Sequence, residues 1–345
     1  MQFDPTTVAR LDIPATLSLD RPTMCIVVDT EEEFDWSAPF DRDARGTLTA
    51  ANQELAHEIF DPLGIKPMYV MDQAIVDCDT ASSFFEKLKT EDRCEIGAHL
   101  HPWLTPPYEE EVNNHNSYQG NLPKNLEFAK VRHLKDSIQE RFGDAPITFK
   151  AGRYGLGKNS FSILKELGFK IDCSVVPHTN YSAVEGPDFR HMKASPFWTD
   201  TDHSLLELPL TRGYTGWGRN MGDMLRFIFD TPKISAFRIP GILSRSGMLK
   251  RITLTPEGIR AKDQKALLRA EVTRGRQFFS LAYHSSSLGV GYTSYVQSKE
   301  DLKAFLDNLK EVLIFFQNEL GGQFLAVTDI YRNAQEAIPQ KRNNI

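Results

Sequence analysis

Short apolar segments alternate with amphipathic segments along most of the chain, and this alternation restricts the fold more than any other feature. The apolar segments have the length of buried strands, and the intervening segments are long enough to form helices. The predicted strands span 25–28, 65–71, 94–99, 147–152, 169–176, 205–210, 278–284 and 324–329. The predicted helices span 47–60, 81–89, 126–142, 159–167 and 299–320. Seven or eight such units favour an α/β barrel, with an open doubly wound sheet as the alternative.

The composition is that of a soluble globular protein, since 41% of the 345 residues are hydrophobic and 25% are charged. A net charge of −6 and scattered basic residues argue against a nucleic-acid partner. The first 22 residues lack a secretory signal pattern, and no segment approaches the ~20 apolar residues of a membrane span. We therefore expect a cytoplasmic protein with a single domain over 1–345, its core at about 23–330, and a loop insertion near 212–252.

An acidic run follows the first predicted strand. Residues 25–36 read CIVVDTEEEFDW, which places five acids within seven residues directly after a buried segment. The carboxyl ends of parallel strands carry the active sites of α/β folds, and acids packed there repel one another unless a cation, a proton or an arginine compensates them. A bound cation is the simplest interpretation, and a solvated acidic loop is the alternative.

Histidines follow two other predicted strands. His99 ends one strand and precedes His101, and His284 ends a later strand. Residues two apart on an extended segment point the same way, so Asp29 and Glu31 can share one face and His99 and His101 another. A carboxylate with two imidazoles and an open position is a common site for catalytic Zn²⁺, and Fe, Mn or Co also fit. The alternative is that these histidines only hydrogen-bond nearby loops.

The order of these segments resembles the polysaccharide deacetylases of the NodB-homology type, also called carbohydrate esterase family four, and within them the WalW-like subgroup. The resemblance covers roughly 23–330 and implies a distorted (β/α)7–8 barrel. The segment VDTE resembles the family's acidic pair, which implies that Asp29 is the general base and Glu31 a metal ligand. The segment EIGAH resembles EIGxH of the family and implies that His99 is the first histidine ligand.

The second histidine of the family lies four residues further on, where this chain has Trp103. The third ligand is then His101, or alternatively His115 or another group. Later segments agree better: FKAGRYG implies that Arg153 holds the catalytic aspartate, and LAYHSSSL implies that His284 is the general acid.

The resemblance implies a metal-dependent hydrolase that removes an acyl group, most simply N-acetyl, from a carbohydrate or glycan precursor. Metal-activated water attacks the carbonyl, Asp29 takes a proton from the water, and His284 protonates the departing amine. Aromatic side chains can stack on sugar faces, and the candidates are Trp36, Trp103 and Tyr154. The alternatives are a deformylase, a cyclic-amide hydrolase, or a carbohydrate-binding or regulatory protein whose metal site has decayed.

Overall fold

The computed structural model describes residues 13–35, 38–222, 224–225, 227–230 and 239–338. The strands of these residues are β1 (Ile13–Pro14), β2 (Thr23–Thr30), β3 (Met68–Met71), β4 (Glu95–Leu100), β5 (Thr148–Ala151), β6 (Ile171–Asp172), β7 (Phe197–Trp198), β8 (Leu206–Glu207), β9 (Arg212–Thr215), β10 (Lys250–Thr253), β11 (Phe278–His284) and β12 (Gln323–Phe324).

The helices of the same residues are α1 (Gln53–Phe60), α2 (Gln73–Asp77), α3 (Asp79–Thr90), α4 (Lys124–Phe142), α5 (Ser160–Glu166), α6 (Phe227–Asp230), α7 (Ile239–Arg245), α8 (Ala261–Thr273), α9 (Lys299–Asn318) and α10 (Val327–Glu336). None of these helices is both long and apolar enough to cross a lipid bilayer.

The main sheet has the order β1-β7-β8-β6-β5-β4-β3-β2-β11, and β12 pairs with β2. All pairs from β8 through to β11 are parallel, whereas β1 and β7 form an antiparallel edge. Beyond β8, the Thr211 amide donates to the Ser280 carbonyl of β11 at 3.1 Å, which draws the two ends of the parallel region together. The predicted α/β fold with a parallel sheet is confirmed.

Two segments differ from the sequence prediction. The strand predicted at 324–329 ends at Phe324, because Val327, Ile330 and Ala334 are buried at helical spacing and form the inner face of α10. The predicted loop insertion near 212–252 contains two strands, β9 and β10, which pair with each other in antiparallel orientation. Helix α8, which follows β10 in the chain, packs against β9. Residues 223, 226 and 231–238 of this insertion lie outside the described part of the chain.

The alternation of side chains along β2 positions the functional residues. Met24, Ile26 and Val28 belong to the large apolar core, whereas Cys25 and Val27 belong to a second core on the other face of the sheet. Since successive side chains of a strand point to opposite faces, Asp29 continues the face of Cys25 and Val27. A buried carboxylate therefore stands at the carboxyl end of an otherwise apolar face.

Candidate active site

The ends of β2, β4 and β11 bring the predicted acids and histidines together. His284, the last residue of β11, is the register partner of Asp29 in β2. His99 lies in β4, and Glu31 and His101 follow the ends of their strands directly. The side chains of Glu31, His99 and His101 are 2% exposed or less. Such burial of three ionisable groups is costly unless they compensate one another or bind an ion.

Glu31, His99 and His101 converge on one point. Glu31 Oε2 lies 3.2 Å from His99 Nε2 and 3.3 Å from His101 Nε2. Ligands at about 2.0–2.2 Å from a tetrahedral Zn²⁺ are about 3.3–3.6 Å from one another, so these separations match neighbouring positions around such an ion. Glu31 Oε1 and His101 Nε2 are buried and have no hydrogen-bond partner among the described residues. The donor set and its open valences therefore fit a divalent cation.

The Nδ1 atoms of His99 and His101 form hydrogen bonds that fix the orientation of the two imidazole rings. His99 Nδ1 donates to the Lys150 carbonyl at 3.1 Å, and His101 Nδ1 donates to Glu32 Oε2 at 2.7 Å. Each Nε2 is thereby left to face Glu31. Partners of this kind set the tautomer of a metal-binding histidine and raise its basicity.

Trp103 belongs to this support and does not contact the cavity as a sugar platform would. Its side chain is buried, its indole stacks on the His101 ring at a centroid distance of 4.3 Å, and its Nε1 donates to Glu32 Oε1 at 3.1 Å. Trp103, which was predicted to bind substrate, is 2% exposed and presents no free ring face to a ligand in this structure. Asp72 completes the support by accepting the Glu32 amide at 2.9 Å.

The charges of the cluster are strongly coupled. Burial alone would raise the pKa of Glu31, but His284, His101 and His99 surround it and hold that pKa well below its usual range. Burial lowers the pKa of His99. For His101 burial is outweighed by Glu32 and Glu31, and its pKa is raised well above the usual value. In the absence of a cation, a proton on His101 therefore supplies the positive charge that the carboxylates require.

Asp29 is paired with Lys150 and not with Arg153. Lys150 Nζ donates to both carboxylate oxygens of Asp29, at 2.5 and 2.8 Å, and both side chains are buried. Lys150 is the register partner of His99 in β5, so its side chain extends across the inner face toward Asp29. The side chain of Arg153, which was predicted to hold Asp29, donates instead to Asn114 and Ser117.

His284 is held by a carboxylate that the sequence did not indicate. Glu257 accepts hydrogen bonds from the His284 amide at 3.0 Å and from His284 Nδ1 at 2.9 Å. The free Nε2 lies 3.7 Å from Asp29 Oδ2. Burial disfavours the imidazolium, but the charges of Glu257, Glu31 and Asp29 outweigh it and raise the pKa of His284 to about 10.

A cavity of about 370 Å³ opens over these groups. Its lining includes Asp29, Glu31, His284, Arg153 and four tyrosines, namely Tyr118, Tyr154, Tyr181 and Tyr295. A second cavity of about 310 Å³ meets it at Asp29, Tyr154 and His284. Of the other predicted residues, Trp36 lies outside the described part of the chain. His115 is exposed and pairs with Glu185, so it does not join Glu31 and His99.

The comparisons with known proteins concern the fold. No family model matches the sequence, and no curated protein matches it. A crystal structure from Mycobacterium smegmatis assigned to the polysaccharide deacetylases superposes with a TM-score of 0.55 and 14% identity, over 95% of this chain and 96% of that one. Puue allantoinase follows with a TM-score of 0.54 and 13% identity, over 92% of each chain. A Pseudomonas aeruginosa PAO1 protein with the same deacetylase assignment superposes with a TM-score of 0.53 and 12% identity, again over 92% of each chain.

The fold is thus that of the polysaccharide deacetylase type of barrel, which the sequence resemblance had implied. The superposed proteins cover nearly the full length of the chain, so the likeness is not restricted to one βα unit. At 12–14% identity the similarity defines the fold but not the activity, which depends on the residues of the site. The WalW-like subgroup stays a prediction.

Proposed function

We propose that this chain is a metal-dependent hydrolase that removes an acyl group, most simply N-acetyl, from a carbohydrate or glycan precursor. One observation carries the proposal. The carboxylate of Glu31 converges with the imidazoles of His99 and His101, and the same carboxylate lines a cavity together with the buried Asp29 and the carboxylate-bound His284. This combination supplies a cation site, a base and an acid around one space, as amide or ester hydrolysis requires.

Glu31, His99 and His101 are the proposed metal ligands. Two imidazoles and one carboxylate suit Zn²⁺ best, with Fe, Mn or Co as alternatives. When bound, such an ion polarises a carbonyl oxygen and lowers the pKa of water toward ~7. Glu31 directly follows β2, His99 lies in β4 and His101 directly follows β4. One strand, β3, separates β2 from β4, and the carboxyl ends of these parallel strands lie at the same edge of the sheet.

Asp29 is the proposed general base. Lys150 donates to both of its oxygens and holds the carboxylate in a fixed orientation in a buried position. A charged aspartate at the floor of the cavity can accept a proton from a water molecule that attacks the acyl carbon. Lys150 supports this step without contacting the substrate.

His284 is the proposed general acid. Glu257 holds its Nδ1, so Nε2 is the atom that donates a proton to the departing nitrogen or oxygen. Burial lowers the pKa of His284, but the charges of Glu257 and Glu31 outweigh it and raise that pKa, which favours a proton on the imidazole. Since Nε2 lies 3.7 Å from Asp29 Oδ2, base and acid can act on the same tetrahedral centre.

The lining of the cavity supports a carbohydrate as the substrate class. Tyr118, Tyr154, Tyr181 and Tyr295 provide aromatic faces and hydroxyl groups, which suit the mixed apolar and polar surface of a sugar. Tyr154 and Tyr181 stack on each other at 5.9 Å, which fixes one wall.

Metal analysis tests the ligand set. We expect the purified protein, stripped with chelator and reloaded with Zn²⁺, to hold one ion per chain by mass spectrometry of the metal. His99→Ala should lose most of this metal, whereas the matched variant His115→Ala, which removes an exposed histidine, should retain it. Equal metal contents in the two variants would refute the proposed ligands.

Activity then separates the hydrolase from its alternatives. The zinc-loaded protein should release acetate from N-acetylated oligosaccharides, and Asp29→Asn should abolish this release. Hydrolysis of N-formyl sugars or of cyclic amides alone would assign the same site to another amide substrate. A protein that binds sugar but holds no stoichiometric zinc would instead be a binding protein on this scaffold.

A further inference from the structure

The guanidinium of Arg153 lines the same cavity as Asp29 and His284. Among the described residues, no carboxylate lies within ion-pair distance of Arg153. Arg153 was expected to neutralise Asp29, but Lys150 forms that ion pair. The charge of Arg153 is therefore available to bind another group.

Neutral groups hold the guanidinium in place. Its NH1 donates to Asn114 Oδ1 at 3.1 Å and to the Ser117 hydroxyl. Its plane lies over the rings of Tyr118 and Phe40, at 4.0 and 5.0 Å from their centroids. These contacts fix the orientation of the arginine and include no carboxylate. Burial accordingly lowers the pKa of Arg153, and Tyr118 and Glu185 offset that effect only in part.

The backbone is strained where this side chain is presented. Arg153 and Tyr154 both have left-handed conformations, with φ values of 54° and 57°. Two consecutive residues with a β-carbon seldom adopt these angles, and such strain clusters at binding and catalytic sites. The turn follows β5 directly and brings both side chains into the lining of the cavity.

We infer that Arg153 binds an anionic group of the substrate, a carboxylate or a phosphate, next to the acyl group that is removed. The inference rests on the proposed function. A planar guanidinium held by neutral partners presents its remaining N–H groups to such an anion, and charge-assisted bonds of this kind are stronger than neutral ones. Glu185 is a poor competitor, because it is exposed and already bound to Asn114 and His115.

Binding of three amino sugars tests the inference without turnover. Glucosamine, muramic acid and glucosamine 1-phosphate share a ring and an amine and differ in carrying no anion, a carboxylate or a phosphate. We expect at least one of the two acids to bind the zinc-loaded protein about 10-fold or more tightly than glucosamine, by NMR titration. The tighter of the two acids identifies the anion.

Variants assign the preference to Arg153. Arg153→Gln should abolish the preference for the acid over glucosamine, and Arg153→Lys should retain part of this preference, since lysine keeps the charge without the planar fork. Arg269→Gln is the matched control, because Arg269 is an exposed arginine of α8, and it should retain the full preference. Equal binding of the three sugars, or a preference that survives in Arg153→Gln, would overturn the inference.

Turnover of the N-acetylated forms of the same sugars separates this inference from the proposed function. An Arg153-dependent preference in binding without any acetate release would refute deacetylation and leave the anion site intact. Acetate release with equal kcat/KM for the neutral and anionic sugars would refute the anion site and leave deacetylation intact. The effect of Arg153→Gln should fall mainly on KM, because the anion is bound equally in the ground state and the transition state.

Discussion

Replacing Lys150 by methionine should leave Asp29 charged and buried without its partner. The two side chains are 1% and 4% exposed and are joined by two hydrogen bonds, so little water can replace the ammonium group. Removing one member of a buried ion pair costs about 3–5 kcal/mol of the free energy of unfolding. Asp29→Asn should cost a similar amount, since it leaves Lys150 buried and unpaired.

The double variant Lys150→Met/Asp29→Asn shows whether the two single variants are destabilised by loss of the same ion pair or by two independent effects. Because neither charge then remains, it should be destabilised by far less than the sum of the single variants, with a coupling free energy of about 3 kcal/mol or more. Urea unfolding in the presence of a chelator measures this coupling without a contribution from metal binding.

Arg153→Met is the matched control, because it removes another cation close to the cavity that Asp29 lines. Since Arg153 has no contact with Asp29 in the hydrogen bonds described above, its effect should add to that of Asp29→Asn. The reasoning is refuted if the Lys150 and Asp29 variants are additive, or if Arg153→Met couples with Asp29→Asn and Lys150→Met does not.

Three further predictions concern the acid, the metal and pH. His284→Ala should lower kcat on an amide by ~10²- to 10⁴-fold, with a smaller loss on an ester that has a good leaving group and with metal content unchanged; equal losses on both substrates contradict its role as acid. Glu32→Gln should weaken zinc binding by about 10- to 100-fold, measured by competition with a chromogenic chelator, because it weakens the hydrogen bond that orients His101; an unchanged zinc affinity contradicts this. Burial raises the pKa of Glu127 to about 7 against the opposing bonds from Ser160 and Gln119. The folded state therefore binds the proton more tightly than the unfolded chain, and stability should fall by about 3 kcal/mol as pH rises from about 4.5 to about 7. Glu127→Gln should remove this slope in urea unfolding, and a slope that persists would assign it to other groups.

The sequence predicted the parts of the site that depend on one strand. Asp29, His99 and His284 were predicted because each ends an apolar segment, and parallel strands bring such ends to one edge of a sheet. His101 was predicted from the two-residue spacing, which places it near His99 beyond β4. The roles of these four residues stay predictions. That they lie close together could be predicted without knowing which side chains of distant segments contact one another.

Residues whose role depends on contacts between segments were missed. Lys150 was overlooked because a lysine within a short strand does not indicate which carboxylate it reaches, and the register of β5 with β4 decides this. A charged residue within the apolar segment ITFKAG was the available signal. Glu257 was missed because it follows the insertion and meets His284 only after β10 and β11 have been positioned by the fold.

The position of Trp103 also depends on contacts between segments that the sequence pattern does not reveal. The resemblance drew attention to the position because a histidine was expected there, and an aromatic residue near a sugar site suggested stacking. The indole instead stacks on His101 and donates to Glu32, which is the carboxylate that orients the same histidine. Trp103 thus supports the orientation of His101, the histidine that we propose as the third ligand.

The acidic run raised the question of what compensates so many carboxylates at one strand end. Lys150 compensates Asp29, and Glu32 accepts hydrogen bonds from two buried rings. Glu31 differs, because its neighbours are His99 and His101 and its Oε1 has no hydrogen-bond partner among the described residues. The lysine is already engaged, so a proton shared with the histidines or a cation must neutralise Glu31. A proton satisfies the charge but leaves the buried oxygen unbonded, whereas a divalent cation among the three groups addresses both, which is why we expect the metal at Glu31 and not elsewhere in the run.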